Sequence, residues 1–299
     1  MKFFLVGPGK VGISCSSLLV KAGHELVGCF SRSKQGCRRL KEHLGSSACS
    51  LEVPDSISEV DFVLVTTPEP TLSEMGRMLA RSGHLKPGQV IFHMSGVCTS
   101  RLLGEALGPE IFTGSIHPIQ AVASIEAGVR LLQHSAFTIE GDEAAVEMGY
   151  RLVEDMGGKP YRLSPESKPL YHGALVAASN FMVLLGWISW KMLRAAGVDD
   201  IHSREFLMGI MKGTLLNLKE MGPEEALTGP VLRGDWQTIE KHIRALETDF
   251  PDGLNFYNTG SALLLEIARA RGEAPVDGLD RIESLLLNPR GRGEDQDDI

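Results

Sequence analysis

The sequence predicts an α/β chain in two parts, a doubly wound parallel sheet followed by an all-helical C-terminal domain. Three observations predict it. Up to about residue 164, short apolar runs of strand length alternate with helical periods. From there to about residue 287 only helical periods occur. A glycine-rich turn, Gly7-Pro8-Gly9-Lys10-Val11-Gly12, lies directly between the first apolar run and the first helical period.

Lys2–Val6 is the first expected strand. Val11–Ala22 carries a helical period closed by Gly23, a residue suited to the left-handed position after a helix. Glu25–Phe30 is the second strand. Val60–Thr66 is a continuous apolar run after an acid, the pattern of a strand buried on both faces. Val90–Met94 follows the turn Lys86-Pro87-Gly88, and Ile111–Ile116 and Ala136–Glu140 complete the strands. Ser164-Pro165 and Lys168-Pro169 then punctuate the chain, and Pro169 suits a first helical position. The domains are therefore expected over 1–164 and 165–287, with helices near 169–196, 203–221, 235–247, 254–271 and 277–287. The remainder, 288–299, is polar and acidic and reads as a disordered tail.

A length of 299 residues gives each domain its own core, and 43% hydrophobic with 23% charged residues is ordinary for a globular chain. A net charge of -8 argues against a nucleic-acid partner, since phosphate backbones need a cationic face. The five cysteines, Cys15, Cys29, Cys37, Cys49 and Cys98, are odd in number and form no C-x-x-C pair. No disulfide scaffold and no metal site is expected from them, and a reducing, cytoplasmic compartment fits. Cys98 lies in a loop-like stretch, where a small inert thiol outweighs a nucleophile. Met1-Lys2 runs straight into a strand without the shape of a secretory signal. Pro169–Trp190 carries no formal charge over 22 residues, enough to cross a bilayer. His172, Ser179, Asn180 and Ser189 interrupt it, so a helix buried between domains or subunits is expected rather than a membrane span.

The glycine motif carries a specific physical meaning. Gly7 permits the tight turn, Gly9 lets the backbone approach a pyrophosphate, and Gly12 lets helix and strand pack closely. The helix N-terminus then offers free N–H groups and a positive dipole end to the anion. Gly7, Pro8, Gly9, Lys10, Val11 and Gly12 are thus candidate dinucleotide-binding residues. The second strand selects the dinucleotide. An NAD site usually ends this strand in an acid that binds the ribose 2′-hydroxyl. Here the strand ends Phe30-Ser31-Arg32-Ser33, and no acid occurs between Glu25 and Glu42. Two hydroxyls and an arginine fork suit a 2′-phosphate, so Ser31, Arg32 and Ser33 predict NADP. Lys34, Arg38, Arg39 and Lys41 crowd the same segment; a solvated basic loop and helix start can explain Arg38 to Lys41 but less easily the Ser-Arg-Ser at the strand end. Thr67 and Pro68 end the Val60–Thr66 strand and can line the nicotinamide-ribose side, or form a plain strand-ending turn.

Substrate residues are expected at the same sheet edge. Ser95-Gly96 and Gly114-Ser115-Ile116-His117-Pro118 each follow a strand. His117 is the leading acid–base candidate, because imidazole titrates near physiological pH. Ser95 can hydrogen-bond it or the substrate, with Gly96 beside it. Lys168, His172 and Ser179 fall within roughly 40° on a helical wheel, with Asn180 somewhat off that line. Lys168 and His172 are further catalytic candidates, and Ser179 and Asn180 substrate-binding ones. Arg233 can hold a substrate carboxylate or form a surface ion pair, and Asp235 suits a helix N-cap.

The glycine motif, Thr66-Thr67-Pro68, Gly114–Gln120, Lys168–Ala174, Ser179-Asn180 and Thr228-Gly229-Pro230 with Arg233-Gly234-Asp235 together resemble one family. It comprises Rossmann-like proteins proposed as NADP oxidoreductases, with a helical C-terminal domain of unknown function. The resemblance covers about residues 1–287 and implies a nicotinamide cofactor, a dimerising helical domain and no fixed substrate. Ketopantoate reductase and the β-hydroxyacid dehydrogenases are more distantly similar. They use Lys-x-x-x-Asn where this chain has Lys168-x-x-x-His172. Prephenate dehydrogenases carry a Gly-Ser-His-Pro-like loop without the extra Ile116, and pyrroline-carboxylate reductase shares the architecture. The expectation is hydride transfer between NADP and a small carbonyl, imine or hydroxy-acid substrate by a homodimer. The alternatives are a non-catalytic NADP-binding sensor or scaffold, and a deazaflavin-dependent oxidoreductase.

Overall fold

The computed structural model describes residues 1–46 and 48–287; the expected acidic tail, 288–299, lies outside them. Two compact units divide the chain, Met1–Asn180 and Phe181–Ile299. The first contains β1 (Lys2–Val6), α1 (Lys10–Lys21), β2 (Glu25–Phe30), α2 (Lys34–Leu44), β3 (Cys49–Ser50), β4 (Phe62–Val65), α3 (Leu72–Ser82), β5 (Val90–His93) and α4 (Arg101–Leu107). It continues through β6 (Phe112–Pro118), α5 (Ile125–Leu132), β7 (Ala136–Gly141), α6 (Glu143–Asp155), β8 (Lys159–Arg162) and the first turns of α7 (Lys168–Ala195). The second unit holds the rest of α7 with α8 (Asp200–Ala226), α9 (Trp236–Asp249), α10 (Leu254–Arg271) and α11 (Val276–Leu287).

The sheet runs β3-β2-β1-β4-β5-β6-β7-β8. Its strands β1, β4 and β5 carry the uninterrupted apolar runs Phe3–Val6, Phe62–Val65 and Val90–Phe92 because both faces are covered. Phe3, Leu5, Phe62, Leu64 and Phe92 point to the side that packs on α1, α5 and α6. Phe4, Val6, Val63, Val65 and Ile91 point to the other side, under α3 and α4. Phe3 and Phe62 stack with centroids 5.4 Å apart in the middle of this core. The chain reverses its direction across the sheet between β1 and β4, so the carboxyl ends of β1, β4, β5 and β6 share one edge. Ligands bind at that edge in open α/β sheets.

Three features differ from the sequence expectation. Strand β7 pairs antiparallel to β6, with His117 opposite Thr138, so the parallel sheet carries one antiparallel junction. Strands β3 and β8 were not foreseen: β3 has two residues, and β8, Lys-Pro-Tyr-Arg, has no apolar run. Proline is tolerated at such an edge, where no ladder bond is demanded of it. The cysteines depart further. Cys37 on α2 and Cys49 on β3 are joined as a disulfide, their Cα atoms 5.4 Å apart. The odd number of cysteines without a C-x-x-C pair points away from a disulfide scaffold; packing of α2 against the sheet edge, not spacing, brings this pair together. Cys15 and Cys29 are buried and free, and Cys98 is free and half-buried.

The helical unit matches its expected periods closely. Its core is formed by α9, α10 and α11 through Ile239, Ile243, Leu265, Ala268 and Ile282. Asp235 caps α9 as expected, accepting from the Thr238 N–H at 3.1 Å. Helix α8 breaks at Gly222, where φ is +82°, just before Pro223. The segment Pro165–Ala195 is long and apolar enough to cross a membrane by length and composition. Its apolar side chains stand exposed, Val183 at 73% and Trp187 at 54%.

Candidate functional site

Beyond the end of β1 the chain makes the turn that the glycines predicted. Gly7 adopts φ +86°, and a Cβ there would lie 2.7 Å from Thr67 Cγ2. A Cβ on Gly12 would collide with Thr66 Oγ1 at 2.2 Å, so glycine permits the close packing of α1 on the sheet. The Cβ position of Gly9 is open by comparison, its nearest atom 3.9 Å away. Thr66 secures the turn from the neighbouring strand by donating its hydroxyl to the Gly7 carbonyl. Gly9 caps α1 without a side-chain hydrogen bond, and no acid occupies the first helical turn. The free N–H groups of that turn are therefore open to an anion.

A bay of about 370 Å³ extends from this turn along the end of β2. Ser31, Arg32, Ser33 and Arg39 line its far side, Thr67 and Pro68 its near side. Among the described residues no carboxylate lines it. The two serines are already engaged. Ser31 donates to the Ser33 carbonyl at 3.0 Å, and Ser33 caps α2 by accepting from the Gly36 N–H at 3.1 Å. They shape the wall, and Arg32 and Arg39 supply its charge. Arg39 also donates to the Pro8 carbonyl at 3.4 Å, tying α2 to the glycine turn. The Thr67 hydroxyl is buried without a hydrogen-bond partner, an unmet polar group in the bay wall. Lys10 and Val11 do not line the bay, because they open α1, and Gly12 acts beneath it.

The ends of β5 and β6 meet the first turns of α7 in a second cluster. Lys168 is 1% exposed and Glu140 is 2% exposed. The Lys168 ammonium donates to Ser115 Oγ at 2.7 Å and to the Ser95 carbonyl at 3.0 Å, and lies 3.3 Å from Glu140 Oε1. Glu140 is completed by Ser100, whose N–H and hydroxyl donate to its two oxygens at 2.8 and 2.9 Å. Burial pulls the Lys168 pKa down, with Glu140 opposing. Every proton of this ammonium has a partner, so Lys168 fastens α7 to the sheet rather than reaching a substrate. Ser95 is likewise committed: its hydroxyl donates to Glu69 and accepts from the Cys98 N–H at 2.9 Å. Ser95 therefore does not bond His117.

His117 instead meets Tyr171, with Nδ1 2.8 Å from the phenol oxygen. Thr138, across the antiparallel junction, donates to the same oxygen at 3.1 Å. The His172 ring stands 6.1 Å from that of His117. Gly96 lies against both: a Cβ there would be 2.8 Å from His117 Nε2 and 2.6 Å from His172 Cδ2. The expected titration of His117 near neutrality is corrected. Burial first, then the Lys168 charge and His172, push it down to about 4. His93, fully buried behind it, is also pushed to about 4, by burial and then Lys168.

The first unit thus brings together His117, His172, Gly96 and Lys168 from the sequence candidates. Ser179 and Asn180 are exposed farther along α7, and Arg233 is exposed in the helical unit. Sequence reasoning missed Thr138 and Glu140, gave Thr66 and Tyr171 no role within their motifs, and left Arg39 open as part of a basic helix start. Glu140 had a legible signal, an acid ending a strand buried on both faces, which demands a buried cation. Tyr171 stands one helical turn from Lys168, but its partner across the junction depended on the unforeseen antiparallel pairing.

A family model described as a Rossmann-like domain matches residues 1–118, and one described as a domain of unknown function, DUF2520, matches residues 135–263. Among curated proteins no significant match is found. A solved protein from Thermotoga maritima is 29% identical, with a TM-score of 0.70, covering 91% of this chain and 100% of its own. One from Bacteroides fragilis, described as a proposed NADP oxidoreductase, is 20% identical, with a TM-score of 0.71, covering 89% and 98%. The 1-pyrroline-5-carboxylate reductase of Streptococcus pyogenes is 17% identical, with a TM-score of 0.63, covering 90% and 98%. One match thus falls on the glycine turn and the sheet, and the other runs from β7 into the helical unit.

Proposed function

We propose that the chain is an NADP-dependent oxidoreductase acting on a small carbonyl, imine or hydroxy-acid substrate. The observation that carries this reading is the glycine-turn bay walled by Arg32 and Arg39 with no carboxylate at the end of β2. The residues fit the cofactor. The turn at Gly7 and Gly9 and the open start of α1 would hold the pyrophosphate, and the unpartnered Thr67 hydroxyl adds a polar contact. Arg32 and Arg39 would hold the 2′-phosphate, where an NAD site would carry an acid. Solved neighbours named as a proposed NADP oxidoreductase and as a reductase support the class.

A bound nicotinamide would supply or accept the hydride. The chain's own residues would orient the reactants. His117 and His172 lie at the carboxyl edge that also bears the glycine turn. His117, neutral near pH 7, would act there as a hydrogen-bonding imidazole. The Lys168–Glu140 pair fixes the Ser95-Gly96 loop beneath it. Positioning of this kind is a large part of bimolecular catalysis. The active form in this proposal is a homodimer, in which a second copy covers the exposed apolar side chains of α7.

Fluorescence titration with NADPH and NADH tests the cofactor reading. The wild type is expected to prefer NADPH. Arg32→Ala and Arg39→Ala should each weaken NADPH about tenfold or more and leave NADH nearly unchanged, since a charge-assisted contact contributes roughly 1.5–3 kcal/mol. Equal affinity for the two nucleotides sinks the NADP assignment. Failure to bind either one sinks the nicotinamide-dependent reading.

A further inference from the structure

The proposed function leaves open which face of the His117 imidazole a substrate meets, and three contacts bear on it. The Tyr171 phenol oxygen lies 2.8 Å from His117 Nδ1. The same oxygen accepts from the Thr138 hydroxyl at 3.1 Å. A phenol has one proton, and with Thr138 donating to its oxygen that proton is free to go to Nδ1. Nδ1 is then an acceptor, and a neutral ring must carry its own proton on Nε2. On the Nε2 side the chain has glycine, and a side chain at Gly96 would reach to 2.8 Å from that nitrogen. Among the described residues Nε2 meets no hydrogen-bond acceptor.

We infer that Tyr171 is a positioning residue that holds His117 in its Nε2–H tautomer, so that the site offers an N–H donor in the space Gly96 leaves clear. The inference rests on the oxidoreductase reading for what binds there: the N–H fits a carbonyl or carboxylate oxygen and mismatches a protonated imine. The ring stays neutral chiefly because it is buried, and then because Lys168 and His172, which face it from α7, disfavour a positive charge there. Burial and these two charges hold the imidazole at about 4, well below the cellular range.

The test is nuclear magnetic resonance on the full chain carrying isotope-labelled histidine. Long-range proton–nitrogen correlations near neutral pH distinguish the two tautomers, and His117→Gln identifies the resonances. The wild type is expected to show Nε2–H alone at His117. Tyr171→Phe keeps the aromatic ring against His117 and removes only the donor. It should give a mixture of tautomers or a switch to Nδ1–H, while NADPH affinity in the same sample stays within about twofold. Nδ1–H in the wild type, or an unchanged tautomer in Tyr171→Phe, overturns the inference. Absence of nucleotide binding in the wild type would overturn the functional reading instead and leave the tautomer assignment standing.

Discussion

At the residue scale, the site is built by making charges and rings pay no exposure to water. His93 and His117 are both held at about 4, chiefly by burial and then by the Lys168 charge. In the unfolded chain each titrates near 6.5. Between those values the unfolded chain binds protons that the folded chain refuses. The stability tied to the neutral rings is thus fully present above about 6.5 and is lost as pH falls toward 4. For the fully buried His93 this is on the order of 3 kcal/mol. Urea unfolding is expected to show a falling midpoint from neutral pH down to about pH 4.5, steeper in the wild type than in His93→Gln. Equal pH slopes in the two proteins would refute the assignment. Such pressure was not legible in the sequence. His117 was identifiable by its place after a strand, but its environment comes from Lys168, which sits more than 50 residues later in the chain.

At the scale of elements, legibility followed length and burial. The strands β1, β4 and β5 announced themselves because a sheet covered on both faces selects uninterrupted apolar runs. The helices α7 to α11 followed from their periods to within a few residues. Strands β3 and β8 were invisible because a two-residue or solvent-exposed edge strand needs no apolar signal. The edge at β3 is held by a covalent link instead. The Cys37–Cys49 disulfide spans 12 residues and ties β3 to α2, the helix that carries Gly36 and Arg39 at the bay. A loop of this size restricts the unfolded chain by about 3 kcal/mol in the chain-entropy account. Reduction, or the pair Cys37→Ser and Cys49→Ser, should therefore lower unfolding stability by up to that amount. Hydrogen exchange should quicken first in α2 and β3, and uniform quickening across the sheet would contradict a local role for the link.

At the scale of the whole molecule, the exposed helices decide how the chain meets its surroundings. Phe181, Val183, Leu184 and Trp187 on α7 and Ile201, Phe206, Met208 and Ile210 on α8 all face water in the single chain. Monomeric proteins rarely carry apolar surface on that scale without a partner. We propose that a second copy of the chain, rather than a membrane, covers it. The start of α7 is fastened into a charged, hydrogen-bonded cluster by Lys168 and Tyr171. Helix α8 interleaves its apolar positions with Arg204, Glu205, Lys212 and Lys219, which a bilayer interior would penalise. A second copy of the chain presents a matching apolar helix pair, and a two-fold interface needs only one such surface. Size-exclusion chromatography with light scattering at micromolar concentration should give a dimer. The double change Val183→Glu and Trp187→Glu places two carboxylates where burial is required and should give a monomer. The α9–α11 core, which lies on other helices, should keep its helicity in that variant. A wild-type monomer, or a chain recovered only in detergent, would show that something other than its own copy covers α7.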